Sequence, residues 1–201
     1  MQLIEQSWEW ILKPTTALER IELAGRTCYK SEDKITEDSA IKFAESIIRR
    51  GHESVIEHVN ATVRFITNRG VTHELVRHRL CAYSQESTRY VRYDNIEFIK
   101  PIWWKASTTR EQNSFLDACE ATEESYKFLL QNGWMPQQAR EVLPNALKTE
   151  IVVTANLREW RHIFKLRTSK AAHPQIRALM LSCLKGFQEV IPVLFDDIRE
   201  D

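Results

Sequence analysis

Helical spacing governs most of the apolar residues in this chain, and it limits the fold more than any other feature. TEDSAIKFAESIIRRG (36–51) has apolar residues at 40, 41, 44, 47 and 48, an acidic start, a basic last turn and Gly51 as a stop. TTREQNSFLDACEATEESYKFLLQNG (108–133) predicts a long helix closed by Gly133. LREWRHIFKLR (157–167) and HPQIRALMLSCLKGFQEV (173–190) predict two more, residues 70–80 another, and PQQAREVL (136–143) a short one between prolines. Alternation is confined to HVNATVRFITN (58–68) and TEIVVTAN (149–156), both expected as strands, while RYVRYDNIEFIKP (89–101) is expected to be mostly extended. Long helices and few strands predict an α+β fold: one helix-rich domain over 1–201 with a small mixed or antiparallel sheet.

Nucleotide folds that grip phosphate with backbone amides are excluded. The five glycines, at 25, 51, 70, 133 and 186, are never clustered, so there is no GxGxxG and no Walker loop. A bound nucleotide would have to be held by side chains. The formal net charge is zero, with 28 basic and 28 acidic residues, which weighs against sequence-independent nucleic-acid binding. Cys28, Cys81, Cys119 and Cys183 form no CxxC pair and are expected as free thiols in a cytoplasmic protein. No stretch has the length or apolarity of a membrane span, and no leader pattern opens the chain.

Against this neutral background, RHRLCAYSQESTRY (77–90) concentrates positive charge. On a wheel of about 100° per residue, Arg79 falls between Leu75 and Val76. Arg167 likewise falls between Ile163 and Trp160. An arginine in an apolar stripe must be paired, by a buried carboxylate such as Glu53, Glu57 or Glu74, or by an anionic ligand. Two such arginines, with Arg77, Arg89 and Arg140 besides, favour the ligand, since a guanidinium meets phosphate or an ionised heterocycle bidentately. In an extended segment Ser87 and Arg89 would share a face, a plausible phosphate grip.

Three rival chemistries are weaker. HESVIEH (52–58) spaces its histidines six apart, unlike HExxH, so packing and hydrogen-bonding roles outweigh a metal site. Cys81 lies near cations that would depress its pKa, but no His–Asn or His–Asp pair accompanies it. Tyr83, Tyr90 and Tyr93 could stack bases beside the basic segment, but no nucleic-acid module is recognisable.

Four blocks, in order, resemble the flavin-dependent thymidylate synthases. They are GHESVIEH (51–58), Arg77-His78-Arg79 followed after seven residues by Ser87, AREVLP (139–144) and TANLREWRHIFKLR (154–167). The resemblance implies reductive methylation of dUMP to dTMP. Methylenetetrahydrofolate would be the carbon donor, reduced FAD the hydride source and NADPH the reductant of the flavin. It also implies a homotetramer with active sites at subunit interfaces, and no enzyme nucleophile, in keeping with the lack of a His–Asn or His–Asp pair beside Cys81 in the sequence.

Carried over by position, Ser54, Arg77, His78, Arg79, Gln85, Asn156, Arg158 and His162 would contact FAD. Glu74, Arg77, Gln85, Glu86, Ser87, Thr88, Arg89, Arg140 and Arg167 would contact dUMP. Arg167 would stabilise the ionised uracil, and Ser87 would position the substrate. Two departures stand out: Ala171 occupies a position where the family often has histidine, the nearest being His173, and Gln85 replaces a frequent glutamate. A relative that has lost catalysis and binds nucleotide or RNA is the alternative, against which the intact Ser87, Arg89 and Arg167 speak.

Overall fold

The computed structural model describes residues 1–199. Strands β1 (Gln2–Ile4) and β2 (Ser7–Leu12) precede helix α1 (Ala17–Thr27) and helix α2 (Ser39–Arg50). Then come β3 (Asn60–Asn68), α3 (Arg69–Leu75), β4 (Ala82–Gln85) and β5 (Glu97–Ile99). The long α4 (Thr109–Gln131), the short α5 (Pro136–Ala139), β6 (Lys148–Asn156), α6 (Leu157–Arg167), α7 (Pro174–Val190) and the short α8 (Pro192–Phe195) complete the order. Four strands form a sheet in the order β2-β3-β6-β4, while β1 pairs β5 in parallel. The helix-rich α+β expectation holds.

Local chemistry explains the boundaries that periodicity located. Gly51 ends α2 in the left-handed conformation at φ 70°, and its N–H bonds back into the last turn. At the start of α4, the Thr108 side chain accepts from Glu111 N–H while the Glu111 side chain accepts from Thr108 N–H, a full capping box. β6 alternates buried and half-buried residues along its whole length, as its sequence predicts.

Two expectations fail. The helix over 70–80 stops at Leu75, so Arg79 lies in the following turn and is exposed rather than set in an apolar stripe. The segment 89–101 is extended only at 97–99. Tyr90 and Val91 both donate their N–H to Ser87 O, and this turn replaces the strand face that Ser87 and Arg89 were expected to share.

The described residues gather into two compact units, interleaved in sequence. The first comprises 1–8, 64–77 and 83–152; the second comprises 9–63, 78–82 and the chain from 153 onward. In the first, Tyr126 and Cys119 of α4 pack with Ile96, Phe98, Ala139 and Leu147. In the second, Trp160 and Phe164 of α6 pack with Phe187 and Phe195, with ring centroids 5.0–5.9 Å apart. Edge-to-face and offset contacts of this kind fix ring positions beyond what area burial provides. Among the described residues no helix is long and apolar enough to cross a membrane.

Candidate active site

Helix α6 organises the second unit's site. Asn156 caps it, its side chain accepting Glu159 N–H at 2.9 Å. Leu157, Trp160, Ile163 and Phe164 are fully buried, so the helix is held on the core while part of its polar face meets a cleft of about 620 Å³. Arg158, Glu159, His162 and Lys165 line that cleft with Asn156, and Glu53, Glu57 and Leu80 face them.

At the far end of the helix, Arg167 Nε donates to His78 Nε2 at 3.0 Å. That bond settles the imidazole's state. Nε2 must offer a lone pair, so the proton of neutral His78 sits on Nδ1, which lies 3.7 Å from Glu159 Oε1. Burial, with Arg167 and His162 nearby, holds the His78 pKa down at about 4. Burial also raises the Glu159 carboxyl, although His162 opposes this. The His162 ring meets the His78 ring edge-on at 5.7 Å. Glu159, absent from the sequence-based list, therefore belongs to the same cluster as His78, His162 and Arg167.

Charge around α6 is heavily compensated. Arg161, 2% exposed, donates to Glu53 at 3.2 Å, to both Asp197 carboxylate oxygens at 2.7 Å, and to Leu194 O. Exposed Arg158 pairs with Glu57 and approaches Glu53. Arg161 is thus the buried, carboxylate-bound arginine of this helix, whereas Arg167 is half-buried and takes a neutral imidazole as acceptor. The wheel hints at this: Arg161 lies about 40° beyond Leu157, at the edge of the stripe.

One cluster raises the question of a metal. Ligating atoms of His78, Glu159 and His162 lie within 4.8 Å of one another. The lone pair of His78 Nε2 is already used by Arg167, whose guanidinium would repel a cation. That hydrogen bond argues against a cation at this cluster. His52 and His58 are exposed and stand outside this cluster.

The first unit carries most of the residues expected at the nucleotide. Ser87 heads a tight turn and its Oγ accepts Arg89 N–H at 3.2 Å. Arg140 donates to Thr88 Oγ1 at 3.3 Å, bringing those two together. Arg89 is exposed, its guanidinium 5.4 Å from the Tyr90 ring centroid. Glu86 accepts the Tyr93 hydroxyl at 2.8 Å and Lys148 at 3.4 Å. Burial and the Glu86 carboxylate push the Tyr93 phenol above its ordinary value. Gln85 Nε2 donates to Thr72 Oγ1 at 3.0 Å and Thr149 Oγ1 at 3.2 Å, a structural engagement. Glu74 is half-buried at the end of α3, and Arg77 is exposed just beyond it. Lys148 was not legible as a site neighbour, because β6 is far from 85–93 in sequence.

Of the expected flavin contacts, His78, Arg79, Asn156, Arg158 and His162 fall in the second unit. Ser54 lies there too, but on a different cleft, beside Val55 and Phe43. Arg77 and Gln85 belong to the first unit. The donor set suits an anionic dinucleotide. Arg79 is exposed with no side-chain partner among the described residues, Arg158 and Lys165 add cations, and Leu80 offers an apolar face at 76% exposure. The carboxylates opposite are engaged by arginine or, for Glu159, buried and raised in pKa.

Comparison with known proteins points the same way. Residues 11–193 match the family model described as thymidylate synthase complementing protein. A flavin-dependent thymidylate synthase of Geobacter sulfurreducens is 36% identical over 185 residues, covering 88% of this chain and 80% of that protein. One from Corynebacterium aurimucosum is 37% identical over 196 residues, covering 89% and 79%. Among solved structures, the UMP/dUMP methylase PolB of Streptomyces cacaoi bound with 5-Br dUMP superposes with a TM-score of 0.83. That pair shares 24% identity over 98% of this chain and 96% of the other, a likeness of fold.

Proposed function

The chain belongs to the flavin-dependent thymidylate synthase family, and from that premise we propose that it converts dUMP to dTMP. Methylenetetrahydrofolate supplies the carbon and NADPH the reducing equivalents. The overall balance is this: a methylene group plus a hydride replaces the proton at uracil C5, giving a methyl group, while NADPH leaves as NADP⁺ and the folate, taking up that proton and one more from water, leaves as tetrahydrofolate. Bound FAD supplies the hydride chemistry. His78, Arg79, Asn156, Arg158 and His162 are the residues of the second unit that would hold it, with Ser54, Arg77 and Gln85 as further contacts.

The observation that carries this reading is the Arg167–His78 bond. The arginine's Nε donates to a neutral imidazole, which holds the guanidinium at the end of α6. A preoriented cation on a half-buried helix end stabilises negative charge that develops on a pyrimidine ring without reorganising at the moment of reaction. Arg89 and Arg140, with Ser87 and Thr88 between them in the turn, are suited to a phosphate, and Glu74 and Glu86 to donors on the substrate. Alignment of uracil with the hydride source then matters more than acid–base assistance.

The proposal extends to a cytoplasmic homotetramer with sites completed by neighbouring subunits. A visible spectrum of the purified protein, followed by dUMP addition and a turnover assay with methylenetetrahydrofolate and NADPH, tests the proposal. A flavin band perturbed by dUMP and dTMP formation are expected. A colourless protein that takes up no added FAD overturns it.

A further inference from the structure

A second cleft of the second unit, about 600 Å³, is walled by α1, α2 and the turn at 53–58, and it is absent from the site just assigned except at Ser54. Its charge is one-sided. Arg26, Lys34 and Arg50 line it, and none of its lining residues is acidic. The α6 cleft, by contrast, carries Glu53, Glu57 and Glu159 among its cations. The macrodipole explains why α1 and α2 each end in basic residues. It does not explain why both ends, and Lys34 between them, converge on one concavity in a chain of zero net charge.

Arg26 is built into place. Glu22, 1% exposed, accepts from Arg26 Nε at 3.1 Å and Nη2 at 2.9 Å through one oxygen. Its other oxygen accepts the Ser39 hydroxyl at 2.7 Å. The guanidinium carbon sits 5.0 Å from the Phe43 ring centroid. Phe43 approaches so closely because residue 25 is glycine: a Cβ there would stand 2.3 Å from Phe43 Cζ. Arg26 Nη1 has no partner among the described residues. An arginine held by a buried carboxylate, laid on a ring and left with one free edge is a preorganised anion contact. Glu22 offsets one of the three positive charges, so the cleft retains an excess of two cations.

We propose that this cleft seats the anionic end, a carboxylate or a phosphate, of one co-substrate of the reaction above, through Arg26, Lys34 and Arg50. This rests on the proposed function, which requires two polyanionic co-substrates with flat aromatic portions, methylenetetrahydrofolate and NADPH, and the rings of Phe43 and Tyr29 lie among the cations.

The test uses steady-state kinetics of the full-length protein with Lys34→Gln and Arg50→Gln combined. Both residues are exposed, so folding is spared. Arg49→Gln, outside the cleft, is the control. Loss of charge-assisted contacts should raise one co-substrate KM by roughly tenfold, leaving the KM for dUMP unchanged. A rise for methylenetetrahydrofolate alone identifies carboxylates as the ligand, and a rise for NADPH alone identifies phosphate. No rise, an equal rise for both, or the same rise in the control overturns the inference. If the unmodified protein shows no turnover, the functional reading fails on its own. Calorimetric titration of that protein and of the double variant with tetrahydrofolate and with NADP⁺ then decides the cleft: weaker binding of one ligand in the variant upholds it, and unchanged binding of both refutes it.

Discussion

Arg167 and His78 are joined by an Nε–Nε2 hydrogen bond of 3.0 Å, with the imidazole neutral and its proton on the Nδ1 side facing Glu159. At this atom the arginine is held by a neutral acceptor and not by a carboxylate. A carboxylate in the place of His78 would have cancelled the charge that the chemistry calls for.

Removing that charge should stop the reaction and spare the cofactor. Arg167→Ala is expected to lower kcat by ~100-fold or more, the scale of losing a preorganised group that stabilises a developing anion. Copurified flavin should be retained. Arg167→Lys keeps a charge but loses the planar fork, and is expected to recover little. Turnover undiminished in Arg167→Ala would remove this residue from its role.

Arg161 is a structural counterpart to Arg167. It is 2% exposed and compensated by Glu53 and Asp197, so truncation leaves two partly exposed carboxylates and the buried Leu194 carbonyl without their donor. Arg161→Ala is expected to destabilise the protein by about 1–3 kcal/mol, the scale of leaving a buried acceptor unpaired. Equilibrium denaturation in urea measures this, and a loss below about 1 kcal/mol would show that Glu53 and Asp197 relax into water instead.

The contrast between these two arginines shows what the sequence could and could not convey. Elements with strong caps or strict alternation (α2 with Gly51, α4 with its capping box, β6) were legible, because their signals are local. α6 was legible as a helix, but the wheel presumes one wet face. Here Glu159 and Arg161 are buried along with the apolar stripe, so the polar partners of His78 and Asp197 were invisible. Arg79 was misplaced because α3 ends five residues early, a boundary set by the turn that follows and not by periodicity. The clustering of His78 with Glu159, His162 and Arg167 joins stretches some eighty residues apart, and only the motif resemblance, not spacing, could anticipate any of it.

Gly25 is expected to tolerate no side chain. Alanine there would put its Cβ 2.3 Å from Phe43 Cζ and 2.6 Å from Cε1, so the ring must move. Gly25→Ala should destabilise by about 1–3 kcal/mol, the range for overpacking. Thermal unfolding with Gly25→Ala, and with Gly25→Ala in a Phe43→Leu background, separates the causes. Recovery in the double variant assigns the effect to the ring, whereas equal loss in both assigns it to the backbone of α1.

His78 should give folding stability a pH dependence of definite sign. Its pKa is about 4 in the folded protein against an ordinary 6.5, so between these values the unfolded chain binds more protons. The contribution of neutral His78 is complete above pH 6.5, declines as the pH falls, and is lost once the pH has passed through 4. Burial is the main cause, with Arg167 and His162 adding repulsion toward a protonated ring, while Glu159 faces its Nδ1. Urea unfolding at pH 7 and pH 5 should therefore show a larger loss of stability in the unmodified protein than in His78→Gln. Glutamine can still offer Arg167 an acceptor but cannot titrate. At pH 5 the folded imidazole is still mostly neutral, so the Arg167 bond persists and flavin binding should be unchanged between the two pH values. Equal losses in both proteins would show that His78 carries an ordinary pKa, and the neutral-acceptor account of Arg167 would fall with it.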